Sequence, residues 1–488
     1  MNLDELLLNI KAVNFDSLVR QSDIQTDEDK KRYLENGYYF VLTEKEFEEK
    51  FRADSKCVWY MPSISQTSIY FNKDTLAVSL FPMDCLVYGM LDAEGFYRVI
   101  EERESEVTNK EFQDSISCLP DAMRLEYFTK LVEKYGSDIP DLYNLFIRNY
   151  VSSDYGFGNI DSNTLSVILN SKTEKDVKKT EEKLKVLPDK IKIYRGGNSA
   201  STPYDKAYSW TLDINVANFF ACRRGTGEGY IVEGEISKSD VVEVLTNEKE
   251  VLVKPKDVHV LSKLNIKGMD YLKEVLPEIA PMYHKYLNQM EKLTFEKSLS
   301  GHGYKHEARV LLLALTIARH LELSSSDKKI LSTAAIYHDT RRVHDESDEL
   351  HGKASREYYH GNVKNPDPII EFLCEYHCLP DEDGYREIMN NRQLSKNRNK
   401  SKLLIDIFKD ADALDRVRFG LNDLDMNQLR LPISKELSLV ARLYLEQVKV
   451  DMKVKYVSGS LDEKMRAASK NISKSTKKSS VIEREYDV

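Results

Sequence analysis

The apolar periodicity of the chain changes near residue 265, and this change constrains the fold more than any other feature of the sequence. Beyond that point strand patterns almost vanish, and apolar residues recur at the spacing of amphipathic helices. The predicted helices span residues 267–292, 304–323, 327–338, 352–360, 366–377, 399–418 and 434–452. We therefore expect an all-α domain in this part of the chain.

The part of the chain before residue 265 has a mixed pattern. Helical blocks near residues 121–150 and 172–185 precede short runs of period two that end at glycines or polar turns. This pattern predicts an α+β domain, and therefore a multidomain protein. The expected organisation is an α/β region of unknown fold and role at 1–115, an α+β domain at 116–265, a helical linker at 266–295, an all-α domain at 296–452 and a polar, lysine-rich tail at 453–488.

Composition narrows the class of protein. A chain of 488 residues is too long for one hydrophobic core. Its net charge of −9 does not indicate nucleic-acid binding, although a local basic patch is compatible with it. The longest apolar stretch, Leu311–Ala318, is too short to cross a bilayer, and the acidic N-terminus lacks the pattern of a signal peptide. With six scattered cysteines, these features predict a cytoplasmic protein with reduced thiols and no membrane partner.

Two histidines and two aspartates on predicted helices form the first candidate site. His306 lies in the first turn of one helix, the pair His338 and Asp339 ends the next, and Asp412 lies on a third. Ligands from three helices can meet at one point in a helical bundle. Imidazole and carboxylate ligands suit a divalent ion such as Mn²⁺, Mg²⁺, Fe²⁺ or Ni²⁺, which can activate water against a phosphate. The pattern predicts a hydrolase site, with Asp339 as both ligand and catalytic residue.

Residues 290–450 resemble the HD phosphohydrolase superfamily. The resemblance rests on the His302–His306 segment (HGYKH), the His338–Arg342 segment (HDTRR) and the Asp410–Asp412 segment (DAD), and on Asp345, Asp348, His351 and Gly352 of an HDxxR…D..D..HG pattern. It implies an all-helical, metal-dependent phosphohydrolase acting on a nucleotide or phosphodiester.

Further residues around these motifs are weaker candidates. His351 and His377 are candidates for a second ion or for positioning phosphate, and a structural role is the alternative. Lys305, Arg341 and Arg342 are candidate phosphate contacts or solvated surface charges. Asp410, two residues from Asp412, is a candidate outer partner of the site. Cys374 and Cys378 flank His377, and a partly buried helix face is the favoured explanation over a zinc site.

A second constellation lies in the α+β segment. Arg195 and Gly196 end a strand, Ser209, Trp210 and Thr211 form a short strand, Phe220 follows on a short helix, and Glu248 and Glu250 precede another strand. Cleavage of the nicotinamide–ribose bond of NAD passes through a state that resembles an oxocarbenium ion, which a carboxylate stabilises. An arginine can hold the pyrophosphate, and an aromatic ring can stack on nicotinamide.

Residues 120–263 resemble ADP-ribosyltransferases of the R-S-E class, through the order YRG…SWT…ExE. The resemblance implies that Arg195 binds NAD, that Ser209 supports the pocket, that Glu250 is catalytic and that Glu248 selects the acceptor. The Ser/Thr motif departs from the family pattern, because Trp210 stands within it and Leu212 follows it. This departure leaves the details of the pocket and the acceptor open.

The expected protein is therefore a bifunctional enzyme, with ADP-ribosyl transfer from NAD to an unknown macromolecular acceptor and phosphohydrolysis in the helical domain. The resemblance to bacterial and phage-borne transferases points to a toxin or anti-phage setting. One alternative is an NAD glycohydrolase regulated by the helical domain. Another is a phosphohydrolase whose α+β domain senses NAD or a nucleotide without catalysis.

Overall fold

The computed structural model describes residues 14–20, 45, 48–49, 55–60, 67–82, 93–153, 160–199, 201–223, 225–245, 249–296, 301–346 and 348–451. The chain forms two units, Met1–Asp189 with Asp205–Tyr208 and Val241–Asn247, and Lys190–Tyr204 with Ser209–Asp240 and Glu248–Val488. The division falls inside the segment 116–265 that was expected to be one domain, and the predicted tail lies outside the described residues. In the described stretches no helix is long and apolar enough to cross a membrane.

The first unit combines strands and helices, as the sequence predicted for an α/β region. Strands β1 (Val58–Tyr60), β2 (Thr67–Phe71) and β3 (Val78–Pro82) form an antiparallel sheet in that order. The helices that follow are α1 (Ala93–Asn109), α2 (Gln113–Ser117), α3 (Asp121–Tyr135), α4 (Leu142–Val151), α5 (Ser162–Asn170) and α6 (Glu174–Lys185). Phe15 packs between Phe71 of β2 and Tyr127 of α3, so aromatic burial joins the sheet to the helices.

Short strands dominate the next part of the chain, with one helix among them. They are β4 (Lys190–Asn198), β5 (Ser209–Thr211), β6 (Gly229–Ser237), β7 (Val241–Leu245), β8 (Glu250–Val253) and β9 (His259–Ile266), and α7 (Ile214–Cys222) lies between β5 and β6. Within the second unit the strand order is β8-β5-β4-β6-β9, with antiparallel pairing throughout. A Cβ atom on Gly196 would lie 1.7 Å from the carbonyl oxygen of Ala217, so this glycine lets α7 pack directly on β4.

Strand β7 belongs to the first unit, where it buries a charged network. The carboxylate of Glu243 is 4% exposed and forms ion pairs with Lys172 at 3.0 Å and Lys183 at 3.2 Å. It also accepts hydrogen bonds from Thr180 and Tyr143. Although burial by itself raises the pKa of Glu243, these partners together lower it to about 2.

The rest of the second unit is helical, as the apolar periodicity predicted. Its helices are α8 (Met269–Met290), α9 (Tyr304–His320), α10 (Ser325–Tyr337), α11 (His351–Asn362), α12 (Pro368–Tyr376), α13 (Asp381–Asn390), α14 (Arg398–Leu414), α15 (Pro432–Glu436) and α16 (Ser438–Asp451). Local signals set several ends: Ser324 caps α10, and Asp367 followed by Pro368 begins α12. Helix α8 occupies the predicted linker, yet its apolar face is buried in the common core of the unit. That segment is thus part of the folded unit.

Helix α7 joins the strands to the helical part through buried polar contacts. The side chain of Asn218 accepts a hydrogen bond of 2.7 Å from Ser438 at the start of α16. Asn215 accepts one from the backbone N–H of Met426 and donates one to Asp425. Ala217 and its neighbours share one hydrophobic core with the helices. Strands and helices of the second unit therefore fold together.

Candidate metal centre

Three helix ends bring the four predicted metal ligands together. His306 lies in the first turn of α9, His338 follows the last residue of α10, and Asp412 lies near the end of α14. The Nε2 atom of His306 is 3.3 Å from Nε2 of His338, 3.2 Å from Oδ1 of Asp412 and 3.6 Å from Oδ2 of Asp339. We call this set of four side chains the first ligand position.

His351 and His377 lie directly beside this position. His351 begins α11, His377 caps the end of α12, and their Nε2 atoms are 3.0 Å apart. Oδ1 of Asp339 is 2.9 Å from Nε2 of His351 and 3.5 Å from Nε2 of His377. The two oxygens of Asp339 thus face different imidazole pairs. We call Asp339, His351 and His377 the second ligand position.

The hydrogen bonds of the four imidazoles fix their tautomers. Nδ1 of His338 donates to the carbonyl oxygen of Ala335, and the Nδ1 atoms of His351 and His377 donate to backbone carbonyls three residues earlier in the chain. Nδ1 of His306 donates to the carboxylate of Asp415 at 2.7 Å. In a neutral imidazole this leaves a lone pair on Nε2. The Nε2 atoms of His306, His351 and His377 lie 2.9–3.6 Å from aspartate oxygens, and that of His338 lies 3.3 Å from Nε2 of His306.

Such an arrangement suits metal ions and is unfavourable without them. Lone pairs that face one another and carboxylates repel, unless a cation lies between them. Oδ1 of Asp339 is buried and accepts no hydrogen bond among the described residues. Burial lowers the pKa of His338 to about 3, so this imidazole is neutral and can act as a ligand. Metal-ligating histidines commonly donate their other N–H to a carbonyl or carboxylate, as all four do here.

Asp415 is a site residue that the sequence analysis did not identify. It is fully buried, and its carboxylate binds the guanidinium of Arg309 at two points as well as Nδ1 of His306. Arg418 adds a further contact at 3.3 Å. The spacing of Asp412 and Asp415 was the available signal, because residues i and i+3 lie on one face of a helix.

His302 is a second residue whose role emerges only from the structure. Its Nδ1 donates to Asp345 at 2.9 Å, and its Nε2 accepts from Arg418 at 2.8 Å. Burial lowers the pKa of His302 to about 4, which agrees with a neutral ring that both donates and accepts. The contacts run from Asp345 through His302 and Arg418 to Asp415, and so to the ligand His306.

Of the three predicted phosphate contacts, the structure brings only Arg342 into contact with the ligand residues. Nη1 of Arg342 is 3.8 Å from Oδ2 of Asp339 and 3.5 Å from Nε2 of His351, so this guanidinium lies at the site. Arg341 instead stacks on Tyr358, and Lys305 is exposed. Asp410 also lies away from the cluster. Its carboxylate accepts hydrogen bonds from the backbone N–H groups of Arg430 and Leu431 and from the guanidinium of Arg430.

The predicted NAD residues lie on three neighbouring strands, β4, β5 and β8. Thr211 pairs with Tyr194 on one side and with Glu250 on the other. Nη1 of Arg195 donates to the carbonyl oxygen of Ser209 at 2.8 Å. These contacts bring the three sequence motifs into one part of the sheet.

Other residues predicted for NAD have different surroundings. Trp210 is 2% exposed, and a Cβ atom on Gly234 would lie 3.3 Å from its ring, so it packs in the core. Gly196 contacts α7, and the half-buried ring of Phe220 lies under the guanidinium of Arg223. Glu248 lies outside the described residues.

A comparison with protein families agrees with the geometry of the helical site. Residues 303–417 match the family described as HD domain. The matched segment contains all the candidate ligand residues of both positions, and Asp415 as well. The match confirms the superfamily predicted for this part of the chain, and it does not extend to the strands. No curated protein and no solved structure matches the chain.

Proposed function

We propose that the HD domain is a phosphohydrolase that uses two divalent metal ions and acts on a nucleotide or a related phosphoester. The observation that carries this proposal is the convergence of four imidazole Nε2 atoms on Asp339, with every Nδ1 already bonded to an acceptor. Asp339 would bind one ion through each carboxylate oxygen. Bound divalent ions supply activated water and neutralise the charge of the phosphate.

The surrounding side chains fit a phosphorylated substrate. Asp412 is the most exposed ligand, with 32% of its side chain accessible, so substrate can approach the first position from its side. Arg342 offers a guanidinium near Asp339, and guanidinium groups match phosphate oxygens in geometry and charge. The residues of the protein would thus hold the ions, orient the imidazoles and bind the phosphate.

An exposed aromatic ring supports a nucleotide as the substrate. Phe419 is 51% exposed, its ring lies 6.2 Å from that of His302, and the guanidinium of Arg418 covers it at 4.2 Å from its centroid. Aromatic rings beside phosphate-binding groups offer a stacking surface for nucleobases. A phosphoester without an aromatic or apolar group would make no use of this ring.

Metal content and hydrolysis together test the proposal. The protein reconstituted with Mn²⁺ would be assayed by mass spectrometry for metal content, and with a panel of nucleotides and phosphodiesters for hydrolysis. His338→Ala should lower hydrolysis by more than about 100-fold, because a lost ligand costs more than the 10–100-fold typical of outer partners. His360→Ala, at an exposed histidine of α11, should have no effect. Equal activity of His338→Ala and wild type would refute the proposal.

ADP-ribosyl transfer from NAD is a second candidate function, for the strands of the second unit. It is supported by the placement of Arg195, Ser209 and Glu250 on three neighbouring strands, in the order that the family resemblance requires. Glu250 would stabilise the ribosyl cation, and Arg195 would hold the pyrophosphate. Helix α7 contacts β4, the strand that carries Arg195, and it also contacts α16. NAD bound at Arg195 would therefore lie on strands that are joined through α7 to the helical part of the second unit.

Nicotinamide release distinguishes the alternatives for this second site. Transfer predicts release of nicotinamide together with ADP-ribose adducts in cell extract, and both should be lost in Glu250→Gln. Glu235→Gln, on β6 and paired with Lys190, is the matched control. Release of nicotinamide without adducts would indicate an NAD glycohydrolase instead. Binding of NAD without release would indicate a sensor domain.

A further inference from the structure

We infer that the thiol of Cys378 is a ligand of the second metal position, so that this position takes a thiophilic divalent ion such as Zn²⁺ or Fe²⁺. The inference rests on the proposed metal function of the HD domain and adds a sulfur ligand to it. Sγ of Cys378, a ring nitrogen of His351 and a ring nitrogen of His377 all lie within 4.8 Å of one another. One ion can therefore reach all three atoms.

The two cysteines next to His377 differ completely in their surroundings. Cys374 is fully buried, and its Sγ faces the carbonyl oxygen of Ala334 at 4.0 Å, inside the helical core. Cys378 lies beyond the end of α12 and is only partly buried. Cys378 follows the end of α12 at Tyr376, and its Sγ lies 3.7 Å from the carbonyl oxygens of both Glu349 and Glu375. The two thiols thus face different environments, although both are close to His377 in the sequence.

A close approach of two helix ends places Cys378 beside His351. A Cβ atom on Gly352 would lie 2.9 Å from Sγ of Cys378 and 2.6 Å from the carbonyl oxygen of Glu375. Any side chain at this position would therefore push the start of α11 away from the end of α12. Gly352 thus allows the imidazole of His351 and the thiol to face the same point.

An independent observation indicates that this point holds a cation. Oδ1 of Asp339 is buried, faces Nε2 of His351 and of His377, and accepts no hydrogen bond in the described part of the chain. The same two imidazoles thus adjoin a buried carboxylate oxygen, and they form a group of three candidate ligands with the thiol of Cys378. Sets that contain sulfur and nitrogen favour Zn²⁺ or Fe²⁺, whereas Mg²⁺ and Mn²⁺ prefer oxygen.

The two metal positions would consequently differ in preference. The first has two imidazoles and two carboxylates, and a carboxylate-rich set of this kind can accommodate Mn²⁺. The second gains a thiolate when the thiol releases its proton to solvent on binding the ion. Loss of Cys378 should therefore weaken Zn²⁺ at the second position and leave Mn²⁺ at the first position nearly unchanged.

Absorption spectra of the cobalt-loaded full-length chain test this inference. Cobalt at either position gives visible d–d bands, whereas a thiolate ligand adds a charge-transfer band in the near ultraviolet. We expect both features in the wild type and in Cys118→Ser, a partly buried cysteine of the first unit. Cys378→Ser should keep the d–d bands, which also shows that it folds, and lose the charge-transfer band.

The possible outcomes distinguish failure of the thiol ligand from failure of the proposed metal-dependent function. A charge-transfer band that persists in Cys378→Ser, or is missing from cobalt-loaded wild type, would overturn the thiol ligand and leave the metal site intact. No cobalt bands at all would overturn the metal-dependent function itself. Competition titrations add a second readout. Zn²⁺ affinity at the second position should fall at least about tenfold in Cys378→Ser, and equal affinity would refute the inference.

Discussion

Replacing Asp415 by asparagine should lower both the affinity for the metal ion and the free energy of unfolding. In Asp415→Asn the side chain keeps its size and loses the charge that binds Arg309 and orients His306. An amide can present its oxygen to only one of these two partners. The Nδ1–H of His306 then competes with the guanidinium of Arg309 for a single acceptor.

The structure gives two magnitudes for this change. Asp415 is fully buried, and Arg309 is 7% exposed, so neutralising the carboxylate leaves a buried arginine without its counter-charge. This should lower the free energy of unfolding by about 3–5 kcal/mol. Because Asp415 fixes the tautomer and orientation of a ligand, Mn²⁺ affinity should fall about 10–100-fold. That loss corresponds to about 1.4–2.7 kcal/mol of binding free energy.

Asp410→Asn, five residues earlier in the chain, is the matched control. Asp410 is equally buried and pairs with Arg430 at 3.1 Å, but it does not contact the metal cluster. Denaturant unfolding should show a loss of stability in both variants, whereas calorimetric titration of Mn²⁺ should show weaker binding in Asp415→Asn alone. Equal Mn²⁺ affinity of the two variants would refute the orienting role of Asp415.

Three further predictions follow from particular contacts. The folded-state pKa of Glu243 is lowered to about 2 from the usual value of 4.5. Its contribution of about 3 kcal/mol to the free energy of unfolding is therefore present above pH 4.5 and is lost as the pH falls towards 2. The difference in unfolding free energy between wild type and Glu243→Gln should therefore shrink over this range, and a constant difference would contradict the role of Lys172 and the other partners. Gly352→Ala should reduce bound metal from two ions per chain to one, as counted by mass spectrometry, because the added methyl group collides with the end of α12. Retention of two ions would show that α11 and α12 can move apart without loss of the second ion. Phe419→Ala should raise KM for the preferred nucleotide about tenfold with little change in kcat, because one stacking contact is worth about 1–3 kcal/mol, and an unchanged KM would exclude base stacking on this ring.

Periodicity was sufficient to predict most of the secondary structure. The helical block predicted near 121–150 corresponds to α3 and α4, the short helix predicted to carry Phe220 corresponds to α7, and the predicted helix at 304 begins at Tyr304 as observed. Helix α13 was not predicted, because its sequence is highly charged and contains Gly384. The segment predicted as a helical linker forms α8, and its apolar residues belong to the same hydrophobic core as those of α9. Amphipathic patterns show that a face is buried, but they do not show which element buries it.

The sequence by itself determined the chemistry available to this protein. The order of His306, His338, Asp339 and Asp412 on successive helices, with HD-type motifs around them, was enough to predict a metal-binding HD domain, and the family match to residues 303–417 agrees. Residue type and helical spacing carry that information, because ligand preference is a property of the side chain itself.

Tertiary structure alone decided which of several similar residues face the site. Asp410 and Asp415 are both buried on the segment that carries Asp412, yet one binds Arg430 and the other orients His306. Likewise Sγ of Cys378 lies within 4.8 Å of ring nitrogens of His351 and His377, whereas Cys374 faces the core. Successive helical residues point about 100° apart. The rotation of a helix about its axis is set by packing against distant parts of the chain, so no local pattern reveals it.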